Sequence, residues 1–309
     1  MAMSASIEVE IAGMRWRNPV AVASGTFGYG WQFENFFDVG AELGAIICKG
    51  VAARPWAGNP APRICETPAG IMNSVGLQNP GVEAFCATYG EYLSSVADRG
   101  CHVIVQAAGH SVEELAEATA LFDERASWAS AIEINVSCPN LKRGGALIGG
   151  TPADCAAAVA ACRAKTEKPL IVKMAPVDTA AIGRAAQEAG ADALDMINTI
   201  SGMSIDVETR TSRLSRPTGG VSGPAIHPIA VRMVWEAASA VDVPIIGCGG
   251  IASWEDAAEM VLVGATGVSV GTANLTEPLA ARDIARGLAA WTERQGAASI
   301  TELRGAFSC

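Results

Sequence analysis

Polar residues close several of the short apolar runs in this chain, where their side chains could meet a ligand. Lys49, Asn135, Lys173 and Asn198 each follow such a run. A lysine in this setting could form a Schiff base with a carbonyl substrate, stabilise negative charge on a reduced flavin ring, or pair with a carboxylate. The residue types leave these three roles open for both lysines.

The segment N-V-S-C-P-N at residues 135–140 places Cys138 just past a predicted strand and before a glycine-rich stretch. A thiol acts as a general base when its pKa approaches the ambient pH, and a mobile loop could carry it over a substrate. The alternative is a buried structural thiol, as most cysteines are. Asn73, Asn135 and Asn198 favour the catalytic role, because their amides both donate and accept, as a planar imide-bearing ring requires.

Glycine pairs follow the last two apolar runs. Gly249-Gly250 follows one run, and Gly271-Thr272 follows the next. Glycine lets backbone N–H groups approach a ligand closely, and a following helix favours phosphate at its N-terminus. Tight turns are the alternative explanation for either pair alone. Together the two pairs predict a phosphate site.

Eight short apolar runs alternate with alanine-rich helical stretches, a pattern typical of parallel strands that are covered on both faces. The alternation predicts an α/β fold, specifically a (β/α)₈ TIM barrel with an active site at the carboxyl ends of the strands. An open doubly wound sheet is the alternative, disfavoured because no G-x-G-x-x-G follows the first run. The predicted strands are residues 20–23, 45–49, 103–107, 132–136, 170–174, 193–198, 244–248 and 267–270.

Helix signals lie between the strands. Ser111 with Glu114, Thr151 with Pro152, and Ser253 with Asp256 are typical of helix starts. The corresponding predicted helices are 111–122, 152–165, 179–189 and 253–263. Two connections, 54–80 and 201–223, are long enough to suggest functional loops. No linker or break in composition interrupts the chain, so residues 1–309 are expected to form a single domain.

Composition excludes several classes of protein. The 309 residues are 50% hydrophobic and 17% charged, too apolar for a disordered chain, and the net charge of −10 disfavours nucleic acid binding. We expect no membrane span and no secretory signal, and therefore a cytoplasmic protein. Nine cysteines form no C-x-x-C pair, so neither a metal site nor an iron–sulfur cluster is expected within this chain.

Eight segments together carry a resemblance to a known family. In order and spacing they resemble the class 1 dihydroorotate dehydrogenases, and among them the B subtype, from about residue 7 to the C-terminus. Cysteine at position 138 favours class 1, since the other main branch has serine there. The segments are A-S-G-T-F-G (23–28), N-S-V-G-L-Q-N-P-G (73–81), N-V-S-C-P-N (135–140), I-V-K (171–173), M-I-N-T (196–199), G-G-V-S-G-P (219–224), I-G-C-G-G (246–250) and V-G-T-A-N (270–274).

The resemblance implies an FMN-binding barrel that oxidises dihydroorotate to orotate for pyrimidine (UMP) biosynthesis. Cys138 then corresponds to the base that removes the C5 proton, while hydride passes from C6 to flavin N5. The matching substrate positions are Lys49, Asn73, Ser74, Val75, Gly76, Leu77, Asn135, Asn198 and Thr199. The matching flavin positions are Ser24, Lys49, Gly50, Gln106, Asn135, Lys173, Ile197, Gly223, Gly249, Gly250, Gly271 and Thr272.

The B subtype further implies an electron-transfer subunit that carries FAD and a [2Fe–2S] cluster and passes electrons to NAD. This chain would form a homodimer within a heterotetramer, whereas an A-type enzyme would act alone with fumarate. Two positions depart from the family pattern. Gln106 stands where asparagine is common, and Lys49-Gly50-Val51 replaces a usual Lys-Ala-Thr-Thr run. The remaining alternatives are a dihydropyrimidine dehydrogenase-like enzyme and a flavin-free lyase or aldolase that uses Lys173 as a Schiff base.

Overall fold

A closed barrel of eight parallel strands forms the centre of the protein in the computed structural model, which describes residues 5–137, 139–140 and 146–308. Each strand pairs with the next along the chain, and the eighth pairs with the first. The strands are β1 (Val20–Val22), β2 (Ala45–Ile47), β3 (His102–Ala107), β4 (Ala131–Asn135), β5 (Leu170–Lys173), β6 (Ala193–Met196), β7 (Ile245–Cys248) and β8 (Gly267–Val270).

All eight predicted strands are therefore confirmed, with ends that differ by one or two residues. The strands are almost entirely buried because helices cover their outer faces. The register places Lys173 of β5 between Asn135 of β4 and Asp195 of β6. In the same way Gln106 of β3 lies level with Glu133 of β4. Polar groups from four consecutive strands thus lie near the carboxyl end of the barrel.

Helices follow the strands in the order expected of a TIM barrel. Ser253 and Asp256 form the predicted capping box, in which each side chain bonds the other residue's backbone N–H. Ser111 caps its helix as predicted, but Glu114 accepts from the N–H of His110 instead of closing the box. The helices are Val39–Glu42, Val82–Asp98, Val112–Arg125, Pro152–Arg163, Thr179–Glu188, His227–Ala238, Trp254–Leu262, Ala273–Thr276 and Ala280–Arg294.

The two long connections predicted as functional loops pair with each other. They form an antiparallel sheet, called the accessory sheet below, in the order Ile200–Gly202, Gly219–Ser222, Gly70–Asn73 and Ile64–Thr67. This sheet joins the segment after β2 to the segment after β6, on the side of the barrel where strands end. It was not predicted, because its strands are short, rich in glycine and mostly only half-buried.

Smaller elements complete the chain. The hairpin of Val9–Ile11 and Met14–Trp16 packs Ile11 and Trp16 against the beginning of β8. Short pairs join Pro139–Asn140 to Ala146–Leu147 and Ile205–Asp206 to Thr211–Ser212. The 3₁₀ segments are Trp31–Asn35, Pro224–Ile226 and Ile300–Glu302. Among the described residues, no helix has the length and apolar character needed to cross a membrane.

Candidate active site

Lys173 is held by a carboxylate inside the barrel. Its Nζ lies 2.8 Å from Oδ1 of Asp195, and the two side chains are only 6% and 1% exposed. Glu133, on the other side of β5, is completely buried and lies close enough to Asp195 for the two carboxyl groups to interact. Of the three roles open for Lys173, the structure shows pairing with a carboxylate. Asp195 and Glu133 were not among the predicted site residues, although each is a charged residue within an otherwise apolar strand.

Burial and charge shift the pKa of Lys173, Glu133 and Cys248. Burial alone would lower the pKa of Lys173, but the negative charge of Asp195, with smaller contributions from Cys248 and Glu133, raises it. Burial, reinforced by Asp195, raises the pKa of Glu133 well above the usual carboxyl range. Burial also raises the pKa of the Cys248 thiol, to about 11. Lys173 is therefore cationic, whereas a Schiff-base lysine needs a lowered pKa.

Gln106 connects this cluster to the ends of β1 and β2. Its Nε2 donates to Glu133 Oε1 at 2.5 Å, and its Oε1 accepts from Ser24 Oγ at 2.9 Å. The N–H of Gly50 in turn donates to Ser24 Oγ at 3.2 Å. Ser24, Gly50 and Gln106 are thus brought together as predicted. The Gln106 amide already has partners on both sides, which were not foreseen from the sequence.

A chain of hydrogen bonds links the amides that end β4 and follow β6. Asn135 Oδ1 accepts from the Ser137 N–H at 3.1 Å and from Ser137 Oγ at 2.6 Å. Asn198 Nδ2 donates to the same hydroxyl, and Asn198 Oδ1 accepts from the N–H of Thr199 at 2.8 Å. Ser137 was not predicted as a site residue, although it lies beside Cys138. The Ser137 hydroxyl joins the two predicted site residues Asn135 and Asn198.

The accessory sheet brings the segment 73–77 to Thr199. Asn73 Nδ2 donates to the carbonyl oxygen of Gly220 at 3.4 Å, and Gly220 packs directly on the Thr199 side chain. Asn59 supports the same segment from outside, since its Nδ2 donates to the carbonyl oxygen of Ser74 at 3.1 Å. The predicted substrate residues Asn73, Ser74, Val75, Gly76 and Leu77 therefore lie on one braced turn, with Gly76 and Leu77 both at positive φ.

Glycines after β6, β7 and β8 form a close-packed cradle. A Cβ added at Gly250 would lie 2.7 Å from the backbone nitrogen of His227 and 2.8 Å from the carbonyl oxygen of Gly223. Thr272 adjoins Gly223, and its Oγ1 donates to Ser222 Oγ at 2.8 Å. Within the part of the chain that the structure describes, no backbone carbonyl accepts from the N–H groups of Gly250, Gly271 or Thr272. Such unused donors suit a phosphate.

Lys49 and Ile197, two further predicted residues, lie at the same end of the barrel. The Lys49 side chain passes over Gly25, where a Cβ would lie 3.7 Å from its Cδ. Ile197 is buried against Gly249, and its N–H donates to the carbonyl oxygen of Cys248 at 2.7 Å. Cys138, the predicted base, lies outside the described residues. Among the described residues, no group of three or more His, Cys, Asp or Glu side chains could hold a metal ion.

Comparison with known proteins identifies similar chains of nearly the same length. The family model described as dihydroorotate dehydrogenase matches residues 6–291. The chain is 47% identical over 309 residues to a protein of Pelobacter propionicus, covering 99% of this chain and all of the relative. It is 48% identical over 307 residues to a protein of Trichlorobacter lovleyi, with 99% of both chains covered. Each relative is named dihydroorotate dehydrogenase B (NAD(+)), catalytic subunit.

Proposed function

The chain belongs to the dihydroorotate dehydrogenase family, and from this premise we propose how its residues act. It is the catalytic subunit of an NAD-linked, B-type dihydroorotate dehydrogenase, an oxidoreductase of pyrimidine biosynthesis. The observation that carries this function is the meeting of three groups at one end of the barrel: the glycine cradle, the buried Lys173–Asp195 pair and the linked amides of Asn135 and Asn198.

The cradle and the lysine fit FMN. The N–H groups of Gly250, Gly271 and Thr272 would hold the phosphate, and a Cβ at position 250 would clash with the adjoining backbone of His227 and Gly223. The ring would lie against Ser24, Lys49, Gly50, Asn135, Lys173 and Ile197. FMN, when bound, supplies a two-electron acceptor for hydride from C6 of dihydroorotate. The Lys173 ammonium provides fixed positive charge where negative charge develops during the oxidation.

The substrate would be held by the amides and the braced turn. Asn73 and Asn198 can each donate to and accept from the pyrimidine ring, and Asn135 can donate through its Nδ2, with Ser137 fixing Asn135 relative to Asn198. Ser74, Val75, Gly76, Leu77 and Thr199 would complete this site, and Lys49 would contact both substrate and cofactor. Cys138 would remove the proton from C5, by its place in N-V-S-C-P-N and its match to the family base.

A second subunit would carry the electrons onward. The relatives are named catalytic subunits of NAD(+)-linked enzymes, which supports a separate subunit as the route to NAD. We propose that this partner carries FAD and a [2Fe–2S] cluster, and that two copies of each chain form a cytoplasmic heterotetramer. Residues 1–309 would serve as one FMN-binding domain in that assembly. Size-exclusion chromatography with light scattering on the co-expressed chains tests this composition.

Substrate choice tests the function directly. The purified chain, loaded with FMN and kept anaerobic, is mixed with dihydroorotate or with dihydrouracil. We expect the visible absorbance of oxidised flavin to be lost with dihydroorotate only. Loss with dihydrouracil only would instead establish a dihydropyrimidine dehydrogenase-like enzyme. The raised pKa of Lys173 already argues against a Schiff-base lyase.

A further inference from the structure

Two carboxyl groups and one ammonium group share the barrel interior beneath the site. Glu133, Asp195 and Lys173 are 0%, 1% and 5% exposed. Two carboxylates against one ammonium would leave an uncompensated negative charge away from water, which is strongly unfavourable. Cys248 also interacts with Lys173, but burial raises the pKa of its thiol to about 11 and keeps it neutral near pH 7. One carboxyl group must therefore hold a proton for the cluster to be neutral.

The hydrogen bonds indicate where that proton lies. Asp195 Oδ1 accepts from Lys173, and Glu133 Oε1 accepts from Gln106. The second oxygens, Asp195 Oδ2 and Glu133 Oε2, are buried, and neither has a donor among the described residues. The two carboxyl groups interact, since Asp195 raises the pKa of Glu133, and two carboxylates could not hydrogen-bond to each other. A single proton between them satisfies both oxygens.

We propose that Glu133 carries this proton and donates it in a hydrogen bond to Asp195, so that Asp195 alone balances and positions the Lys173 ammonium. The proton lies on Glu133 because Asp195 has the charged donor at 2.8 Å, whereas Glu133 receives only a neutral amide. Asp195 is then a positioning residue: it holds Lys173 level with Asn135 at the end of the barrel.

Infrared spectroscopy at pH 7 tests the shared proton without any cofactor. The wild-type protein is expected to show the carbonyl band of a protonated carboxyl group. The band is lost in Glu133→Gln, which removes the acid. It is also lost in Asp195→Asn, where Glu133 ionises as the remaining partner of Lys173. Glu188→Gln, at an exposed helix position, retains the band. A wild-type spectrum without the band, or a band that survives in Glu133→Gln, would overturn the proposal.

A double-mutant cycle in denaturant gives a second, independent readout. In the wild-type background, Glu133→Gln is expected to lower the unfolding equilibrium constant at least about tenfold at pH 7, because glutamine replaces the protonated acid without having to bind a proton. In the Asp195→Asn background the same change removes the last negative charge beside Lys173. There it should raise the constant at least about tenfold. The same sign in both backgrounds would contradict the assignment.

The positioning role rests on the proposed function and has its own readout. Asp195→Asn moves the balancing charge from Asp195 to Glu133, so we expect the dissociation constant for FMN to rise about tenfold. Glu133→Gln keeps the Lys173–Asp195 pair and should change it less than about threefold. Equal losses in the two variants would exclude a positioning role for Asp195. A wild-type protein that binds no FMN would refute the proposed function and leave the infrared result standing.

Discussion

The ammonium of Lys173 lies 2.8 Å from the Asp195 carboxylate, and both groups are shielded from water. An ion pair at this depth is maintained only when its geometry is good and the neighbouring polar groups are satisfied. Beside this pair, Glu133, Gln106 and Ser24 form a chain of hydrogen bonds that reaches the ends of β3 and β1. The lysine proposed to face the cofactor is therefore anchored by the barrel itself.

Replacing Lys173 by methionine should destabilise the fold as well as the site. The change leaves Asp195 buried without its partner, so we expect a loss of about 3–5 kcal/mol in the free energy of unfolding at pH 7. FMN content should fall as well. Urea unfolding and flavin absorbance measure both effects. Lys165→Met, at an exposed position, is the matched control and should change neither. Unchanged stability and unchanged flavin content in Lys173→Met would show that the lysine neither stabilises the fold nor contributes to FMN binding.

The raised pKa of Glu133 predicts the sign of a pH dependence. Below the pKa of an unfolded carboxyl group, both the folded and the unfolded chain carry this proton, so its stabilisation is fully present. As the pH rises, the unfolded chain releases the proton while folded Glu133 retains it, and the stabilisation is lost at up to about 1.4 kcal/mol per pH unit. Urea titrations from pH 5 to about 8 should therefore show Glu133→Gln gaining stability relative to wild type. A constant difference across this range would contradict the prediction.

Gly250→Ala should disrupt the phosphate cradle. Gly250 has φ 70°, and its added Cβ would come within 2.8 Å of Gly223 and 2.7 Å of His227. We expect FMN affinity to fall at least about tenfold, because the methyl group forces the backbone that forms the cradle to shift. Gly296→Ala separates this effect from backbone strain, since Gly296 has φ 71° with no atom within 4 Å. Both variants carry a similar cost of positive φ, only Gly250→Ala adds the clash, and FMN titration should distinguish them. Equal affinities would place the phosphate elsewhere.

Ser137→Ala should weaken substrate turnover without harming the fold. The hydroxyl is the link between Asn135 and Asn198, and its removal leaves each amide held only by one backbone N–H, of Ser137 and of Thr199. We expect kcat/KM for dihydroorotate to fall about 10- to 100-fold, since small misplacements of binding groups carry large rate penalties. Ser95→Ala, which loses a hydrogen bond to Tyr92 on an exposed helix, should behave as wild type. Steady-state kinetics measure kcat/KM for each variant. Full activity in Ser137→Ala would show that the hydroxyl link is dispensable.

Cys138→Ser tests the proposed base. Serine keeps the size of the side chain, but it is a much weaker base near neutral pH. The variant should retain FMN and lose about 10²- to 10⁴-fold in the rate of flavin reduction by dihydroorotate. Stopped-flow absorbance measures this rate. Full activity at neutral pH would show that another group removes the C5 proton.

The sequence predicted the barrel well because its signals are local. A buried parallel strand such as β5 is a continuous apolar run, and Ser253 with Asp256 specifies a helix start within four residues. The accessory sheet carries no comparable signal. Ile64–Thr67 alternates between exposed and half-buried positions, and Gly219–Ser222 begins with two glycines. Their pairing depends on a tertiary contact between distant segments, which local pattern cannot specify.

The same distinction holds for the site. Residues at strand ends, such as Asn135 and Lys173, could be identified because the barrel brings those ends together. Asp195 lies one residue and Glu133 two residues before the end of its strand, and only the register shows that Asp195 lies level with Lys173 and Glu133 level with Gln106. Charged residues inside apolar strands were the available signal for both, because such residues are rarely buried without a partner.

Orotate formed in a single anaerobic turnover is the most direct test of the proposed reaction. The FMN-loaded chain, without partner subunit or NAD, is mixed with excess dihydroorotate, and flavin absorbance and orotate are measured on the same sample. We expect the oxidised-flavin absorbance to disappear and one orotate to appear for each FMN. A flavin that stays oxidised, or one that is reduced without orotate, would contradict dihydroorotate oxidation at this site.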